Sequence, residues 1–303
     1  MQVGLALNDP ATAIEEARAA EERGFDLLGC GEHLFFHGPM PNAFVTLAAA
    51  AGATRRIRLV SSITLLPLYP AALAAKLAAT LDLVSGGRFE LGVGAGGEYP
   101  AEFVAAGVDP RERFRRLDEG LETLRHLFSG ETVEQDGEFT TLPGVALDPP
   151  PRRPGGPPLW MGGRKDGSMR RAGRWADVWM PYLVTPGQVR DGLGRIAEVA
   201  HEHARPPGAV TGALLAWTCV DPDADRARRR GVAAISRTYD QDFAPLADRY
   251  LLLGDPDAVL DRLTAYAAAG VDQVIVQVAA DAADRAAVLD TLAEHVLPAA
   301  RDL

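Results

Sequence analysis

LDLVSGGRFELGVGAGGEYPAEF, residues 81–103, reads as a helix end, a turn at Ser85-Gly86-Gly87, a β-rich run over 88–93 and a second glycine cluster, Gly92, Gly94, Gly96 and Gly97. A continuous apolar run bounded by glycines suits a strand buried on both faces. Glycine just past a strand end lets a ligand approach the backbone closely, so a cofactor is expected beside this stretch. The same glycines also serve a plain turn, and Gly-x-Gly-x-Gly alone does not separate the two.

Outward from this stretch the same alternation repeats. Strands are expected near 2–7, 25–30, 57–66, 88–93, 159–161, 177–180, 210–220 and 273–278. Helices are expected at 10–23, capped by Asn8-Asp9 before Pro10, and at 42–54, 70–84, 114–128, 166–173, 186–203, 221–239, 257–269 and 284–300. Leu73, Leu77, Leu81 and Val84 share one face of the third helix, and Phe114, Leu117, Leu121, Leu124 and Phe128 mark the apolar face of the fourth. Regular β-α order allows a doubly wound sheet or a closed (β/α)8 TIM barrel, both of the α/β class. Eight units in 303 residues favour the barrel. The first strand-helix turn, Leu7-Asn8-Asp9-Pro10, holds no glycine, so a dinucleotide fingerprint is missing where an open sheet would place it. One barrel domain over 1–303 is expected, with an excursion at about 130–158, dense in proline and arginine, that reads as a hairpin and an extended segment.

Composition excludes several classes. The net charge of −10 argues against nucleic acid or an anionic membrane as partner. Cys30 and Cys219 form no metal-spaced pair and read as buried thiols, so no metal site is expected. The opening MQVGLAL lacks the basic flank of a signal peptide, and no apolar run reaches the ~18 residues of a membrane span. A reducing cytoplasm is the default expectation.

Barrels bind ligands at the C-terminal strand ends, which makes candidates of Asn8, Glu32, His33, Ser61, Ser62, Ile63, Thr64, Gly94, Glu98, Tyr99, residues 162–168, Tyr182 and Gln277. Glu32-His33 directly follows a strand, and a carboxylate beside an imidazole can share or relay a proton. A hydrogen-bonded loop histidine is the plainer alternative. Gly162, Gly163, Arg164, Lys165 and Ser168 sit between a strand and a helix start, where free amides, a hydroxyl and cations make an anion cradle. A plain helix start, with Arg170, Arg171 and Arg174 solvated, is the alternative there. Neither Gly-x-Ser-x-Gly nor His-Glu-x-x-His occurs, which leaves hydrolase and metalloprotease chemistry without support.

With these residues in place, the chain resembles the bacterial-luciferase-like family of flavin- and deazaflavin-dependent oxidoreductases. The stretches that carry the resemblance are GFDLLGCGEHLF at 24–35, TRRIRLVSSITLLPLYP at 54–70, AAKLAATLDLVSGGRFELGVGAGGEYPAEF at 74–103, RLDEGLETLRHLFSGE at 116–131, PLWMGGRKDGSMRRAGRWADVWMP at 158–181 and GDPDAVLDRLTAYAAAGVDQVIVQ at 254–277. They run in family order over nearly the whole chain. The resemblance implies a (β/α)8 barrel with reduced FMN or coenzyme F420 across its mouth. Ser62-Ile63 matches the family's non-prolyl cis peptide, Gly162, Gly163, Arg164 and Ser168 its phosphate loop, and Glu32 and His33 its acid-histidine pair. Glu98 falls in a loop that carries an acid in deazaflavin members. Gly97 replaces the family's usual tryptophan, and Ala95 stands where some luciferases have arginine, which departs from a luciferase-type phosphate grip.

The implied activity is oxidation or reduction of a small organic substrate: monooxygenation if the cofactor is FMN, hydride transfer if it is F420, with a separate reductase supplying reduced cofactor. A non-catalytic flavin-binding relative is the alternative from another class. An aldolase or isomerase would need a lysine or carboxylate at a strand end, whereas Lys76 and Lys165 fall in a helix and a loop. A homodimer is expected from the resemblance; the alanine-rich helices 42–54 and 70–84 could be its contact, or the same alanines could equally pack within the barrel.

Overall fold

All 303 residues are described by the computed structural model, in which eight parallel strands close into a ring. They are β1 (Gln2–Leu7), β2 (Leu27–Cys30), β3 (Arg58–Ser61), β4 (Phe89–Gly94), β5 (Leu159–Gly162), β6 (Val178–Met180), β7 (Thr211–Val220) and β8 (Val271–Val278). Neighbours pair in this order, and β8 returns to β1 through Gln2↔Gln273 and Leu5↔Val276. The expected barrel is therefore the observed one, strand for strand.

The helices between strands are α1 (Ala13–Glu22), α2 (Ala43–Ala53), α3 (Ala71–Val84), α4 (Arg113–Phe128), α5 (Asp166–Trp175), α6 (Pro186–Glu202), α7 (Ala224–Tyr239), α8 (Pro256–Ala267) and α9 (Ala282–Thr291). Side-chain caps start four of the nine. Asn42, Asp223 and Asp255 each accept a first-turn amide, and Thr185 with Gln188 forms a capping box ahead of Pro186. At α1 the expectation fails: Asp9 accepts from the amide of Ala11 in a turn, and the helix begins at Ala13 without a side-chain cap.

Inside the ring, Ala6, Leu27, Val60, Trp160, Val178, Met180, Ala213 and Ile275 form one apolar layer. Below it, at the N-terminal strand ends, the Arg58 guanidinium donates to Glu90 (2.7 Å) and to the side-chain oxygens of Gln2 and Gln273 (2.6 Å each). Trp160 Nε1 donates to the other Glu90 oxygen at 2.7 Å. This polar plug closes the lower end, so only the opposite mouth is open to ligands.

Two helix faces differ from expectation. In α3 it is the alanines, Ala71, Ala74, Ala75, Ala78 and Ala79, that face inward, while Leu73 and Val84 stand exposed. Small side chains let a helix lie close on its neighbours, and a periodicity of leucines within an all-apolar helix does not reveal that choice. In α4 the run Leu117, Leu121, Leu124, Leu127 and Phe128 is buried, but Phe114 is exposed at the barrel mouth.

The excursion contains an antiparallel hairpin, Val133–Asp136 with Thr141–Val145, followed by an extended strap. Arg153 anchors the strap by pairing with the fully buried Asp82 at 2.9 Å. Thr64–Leu65 and Leu252–Gly254 are short extra strands beside β4 and β7, outside the ring of eight.

Candidate active site

A cavity of about 1150 Å³ opens at the C-terminal strand ends. Its floor is the bulge after β3, where the Ser62-Ile63 peptide is cis. The Ile63 side chain lies over the glycines of β4 and β5: a Cβ on Gly94 would stand 2.0 Å from Ile63 Cδ1, and one on Gly162 2.8 Å. These glycines, read from sequence as clearance for a ligand, give clearance first to Ile63. Ser62 lines the cavity, whereas Ser61 does not. Ser61 is fully buried, and its hydroxyl both donates to the Gly92 carbonyl (2.8 Å) and accepts from the Gly92 amide (2.9 Å). Residues one apart along a strand face opposite ways, so only one of the two serines can reach the mouth.

Glu32 and His33 do not pair with each other. The Glu32 carboxylate accepts from the amides of Ala43 (3.0 Å) and Leu65 (3.1 Å), from Asn42 (3.2 Å) and from the Tyr69 hydroxyl (3.1 Å). Burial pushes this carboxyl above the usual carboxylate range, against the pull of those donors. With four donors it ties α2 to the segment after β3, and it lines the cavity beside His33.

The partner of His33 is Glu102. Its carboxylate, wholly buried, lies 3.1 Å from His33 Nδ1 through both oxygens and also accepts the Leu34 amide at 3.1 Å. A carboxylate acceptor requires Nδ1 to carry the hydrogen, which leaves Nε2 without a protein partner at the cavity wall. The imidazole stacks on Phe36 at 4.3 Å, and His37 and Tyr99 continue the aromatic run. Sequence reasoning missed Glu102, since an acid in a short helix reads as solvated.

Glu98 accepts a hydrogen bond from Tyr182, and burial together with that bond pushes the phenol above its ordinary range. The Arg164 guanidinium lies 5.2 Å over the Tyr182 ring and donates to the Leu183 carbonyl at 2.9 Å. Asn8 and Gln277 also line the mouth. Gly97, in the place of a tryptophan, leaves room for Arg113: a Cβ there would stand 2.9 Å from its Nε. Arg113 in turn lies 4.3 Å over the Phe114 ring.

After β5, residues 162–168 run from the strand end into the start of α5 at the cavity wall. Gly163 has φ +108°, and a Cβ there would meet Ser168 Oγ at 2.4 Å, so the loop packs this closely on the Ser168 side chain only because residue 163 is glycine. The amides of Asp166 and Gly167, the first two of α5, have no intrahelical acceptor, while that of Ser168 donates to the Lys165 carbonyl at 2.8 Å, and the helix dipole favours an anion beside them. Arg164 and Lys165 have no carboxylate partner, while the nearby Asp166 is taken up by Arg170 and Arg195, each at 3.3 Å. Sequence reasoning also missed Phe114, Trp217, Tyr239, Arg237 and Arg285, which complete the wall from distant segments. No group of three His, Cys, Asp or Glu side chains is placed to hold a metal, and no helix is long and apolar enough to cross a membrane.

Comparison with known proteins places this geometry. A family profile described as luciferase-like monooxygenase matches residues 2–273. A Mycobacterium tuberculosis protein is 35% identical over 173 residues, which is 57% of this chain and 59% of that relative's length. The F420-dependent glucose-6-phosphate dehydrogenase of Intrasporangium calvum is 28% identical over 97% of this chain and 96% of its own. Among solved structures, monooxygenase RslO1 from Streptomyces bottropensis superposes with a TM-score of 0.86 at 27% identity, covering 98% of this chain and 99% of that one. An F420-dependent secondary alcohol dehydrogenase, solved with an F420-acetone adduct, gives 0.84 at 25% identity and 99% coverage of both chains.

Proposed function

This chain belongs to the luciferase-like monooxygenase family, and we propose that it moves a hydride between coenzyme F420 and the carbonyl or alcohol carbon of a small organic substrate. It is an oxidoreductase of that family, whose members use F420 or FMN. The observation that carries the reading is the His33-Glu102 pair, an acid-base group oriented by a buried carboxylate with its free nitrogen at the cavity wall.

The loop after β5 suits the phosphate common to both cofactors, because it lines the cavity with free amides and two cations that have no carboxylate partner. Gly162, Gly163, Arg164 and Ser168 would hold that phosphate, with Asn8, the Ser62-Ile63 bulge, Gly94 and Tyr182 lining the rest of the cofactor's place. When bound there, F420 supplies or accepts the hydride, and FMN would instead support oxygen insertion. His33 Nε2 takes the hydroxyl proton as an alcohol is oxidised and returns it to the oxygen as a carbonyl is reduced. Glu102 holds the ring in the tautomer that makes this possible. The aromatic run from Phe36 to Tyr99 keeps water from the imidazole, and Glu98, held by Tyr182, is a second group able to carry a proton.

Monooxygenation with reduced FMN, delivered by a separate reductase, is the second reading, favoured by the likeness to RslO1. Anaerobic titration with F420 and FMN, each oxidised and reduced, separates the two. Tight binding of F420 alone is the expected result, preference for reduced FMN would turn the assignment to oxygen chemistry, and binding of neither would sink both. In the same titration Gly163→Ala is expected to weaken binding by about 10- to 100-fold, since the strained φ and the clash with Ser168 together cost on the order of 1–3 kcal/mol. Unchanged affinity would remove this loop from the cofactor site.

A homodimer is the proposed assembly. α2 and α3 pack side by side and expose Val45 (71%), Leu73 (48%) and Val84 (62%), apolar groups that a second copy would cover. Sedimentation velocity is expected to show a dimer that Leu73→Glu converts to monomer; a wild-type monomer at micromolar concentration overturns the assignment.

A further inference from the structure

We infer that the molecule turned over at this mouth is uncharged, a ketone or secondary alcohol with an apolar body and one polar oxygen. The inference rests on the oxidoreductase reading above and adds the substrate class.

Its basis is how charge is distributed around the cavity. Outside the loop after β5, two cations line the wall, and each is already neutralised. Arg237 pairs with Asp281, and Arg285 pairs with Glu16 at 2.8 Å while its other contact is the Ala6 carbonyl at 3.3 Å. On α5, Arg171 is held by Asp118 at 2.6 Å and Arg170 by Asp166 at 3.3 Å. The cavity-lining cations without a carboxylate partner, Arg164 and Lys165, are neighbours in the phosphate cradle. The mouth therefore offers one anionic subsite, and the cofactor's phosphate occupies it.

The acids are equally committed. Glu32 is saturated by its four donors, Glu102 by His33 and the Leu34 amide, and Glu98 by Tyr182. Beside the cradle, on the strands that follow it, Trp217 meets Tyr239 edge-on at 6.0 Å, and Met180, paired with Gly162, and Leu215 line the same apolar part of the cavity. A charged group placed against these apolar side chains would lose its hydration, a penalty of several kcal/mol. A neutral body gains from the same burial, and its oxygen finds the free nitrogen of His33. The glucose 6-phosphate that names the Intrasporangium calvum relative carries the kind of charge this wall does not serve.

The test is equilibrium binding by calorimetry to the chain, first titrated with F420 and FMN, using a matched set: acetophenone, 4-acetylbenzoate, 4-(aminomethyl)acetophenone, cyclohexanone and glucose 6-phosphate. The uncharged ketones are expected to bind at least about tenfold more tightly than the charged members, with affinity insensitive to salt. A double variant, Glu16→Gln with Asp281→Asn, frees both guanidinium groups and is expected to raise 4-acetylbenzoate affinity about tenfold while leaving acetophenone unchanged. Equal or tighter binding of a charged member to wild type overturns the inference, as does failure of both uncharged ketones to bind. So does a double variant whose preference for the neutral member is undiminished. Loss of the cofactor reading appears separately, as absence of cofactor binding in the first titration.

Discussion

Replacing His33 by alanine is expected to lower turnover by about 10²- to 10⁴-fold while cofactor affinity changes by no more than about threefold. The asymmetry follows from position. His33 Nε2 has no protein partner and lines the cavity, whereas the cofactor's phosphate is assigned to a loop contributed by β5 and α5. A histidine serving only to pack against Phe36 would give the opposite pattern, with small kinetic losses and a stability change from the vacated stack. Turnover within about fivefold of wild type would remove His33 from the chemistry.

Glu102 acts through His33 and is a positioning residue, so its substitution has its own signature. Glutamine keeps the shape but leaves one neutral acceptor oxygen, for which His33 Nδ1–H and the Leu34 amide compete, and its amide NH2 favours the other tautomer; the ring then exchanges tautomers and kcat falls to a value between wild type and His33→Ala. The ¹⁵N spectrum of His33 should then change from one Nδ1-protonated species to a mixture. An altered kcat with an unaltered spectrum would mean that Glu102 acts through packing alone. Alanine at 102 is a harsher change, because it leaves the Leu34 amide and His33 Nδ1 facing a buried void, at about 1–3 kcal/mol for each orphaned donor.

How far the sequence foretold this site depends on whether the deciding contact is local. Strand positions were legible because nearly every apolar run is closed by glycine or proline within a few residues, and the turn from β5 into α5 because its glycines and helix start are contiguous. Glu102 was not legible. Its burial depends on His33, 69 residues earlier, and nothing in YPAEF distinguishes a carboxylate facing inward from one facing water. The choice between Ser61 and Ser62 is a matter of strand parity, which a serine pair conceals. The aromatic wall has the same cause: Trp217 and Tyr239 come from a strand and from the end of the following helix, and they meet only because the barrel closes. In α3, alanine and leucine are both apolar, and which of them faces inward is settled by how closely the helix must lie against its neighbours.

Gly92→Ala is expected to cost about 3–5 kcal/mol of stability, the largest effect of any single methyl group considered in this barrel. A Cβ at residue 92 would stand 2.0 Å from the Ser61 carbonyl oxygen, a backbone atom fixed in the neighbouring strand, with no side chain able to rotate away. Separating the strands to admit it would also break both hydrogen bonds between Ser61 Oγ and the Gly92 backbone, each contributing about 1 kcal/mol. Against a total stability of about 5–15 kcal/mol, such a loss moves the denaturation midpoint far or leaves the protein insoluble. Two comparisons isolate the cause. Ser61→Ala removes the hydrogen bonds without the clash and should fall well short of the glycine variant. Gly52→Ala adds the same methyl in the last turn of α2, where nothing lies within 4 Å, and should stabilise by up to about 0.5–1 kcal/mol. If Gly92→Ala instead melts within about 1 kcal/mol of wild type, β3 must be free to give way by an ångström or more. The bulge carrying Ser62 and Ile63 would then be an adjustable floor for the cofactor, and the glycine run would regain its reading as clearance for a ligand.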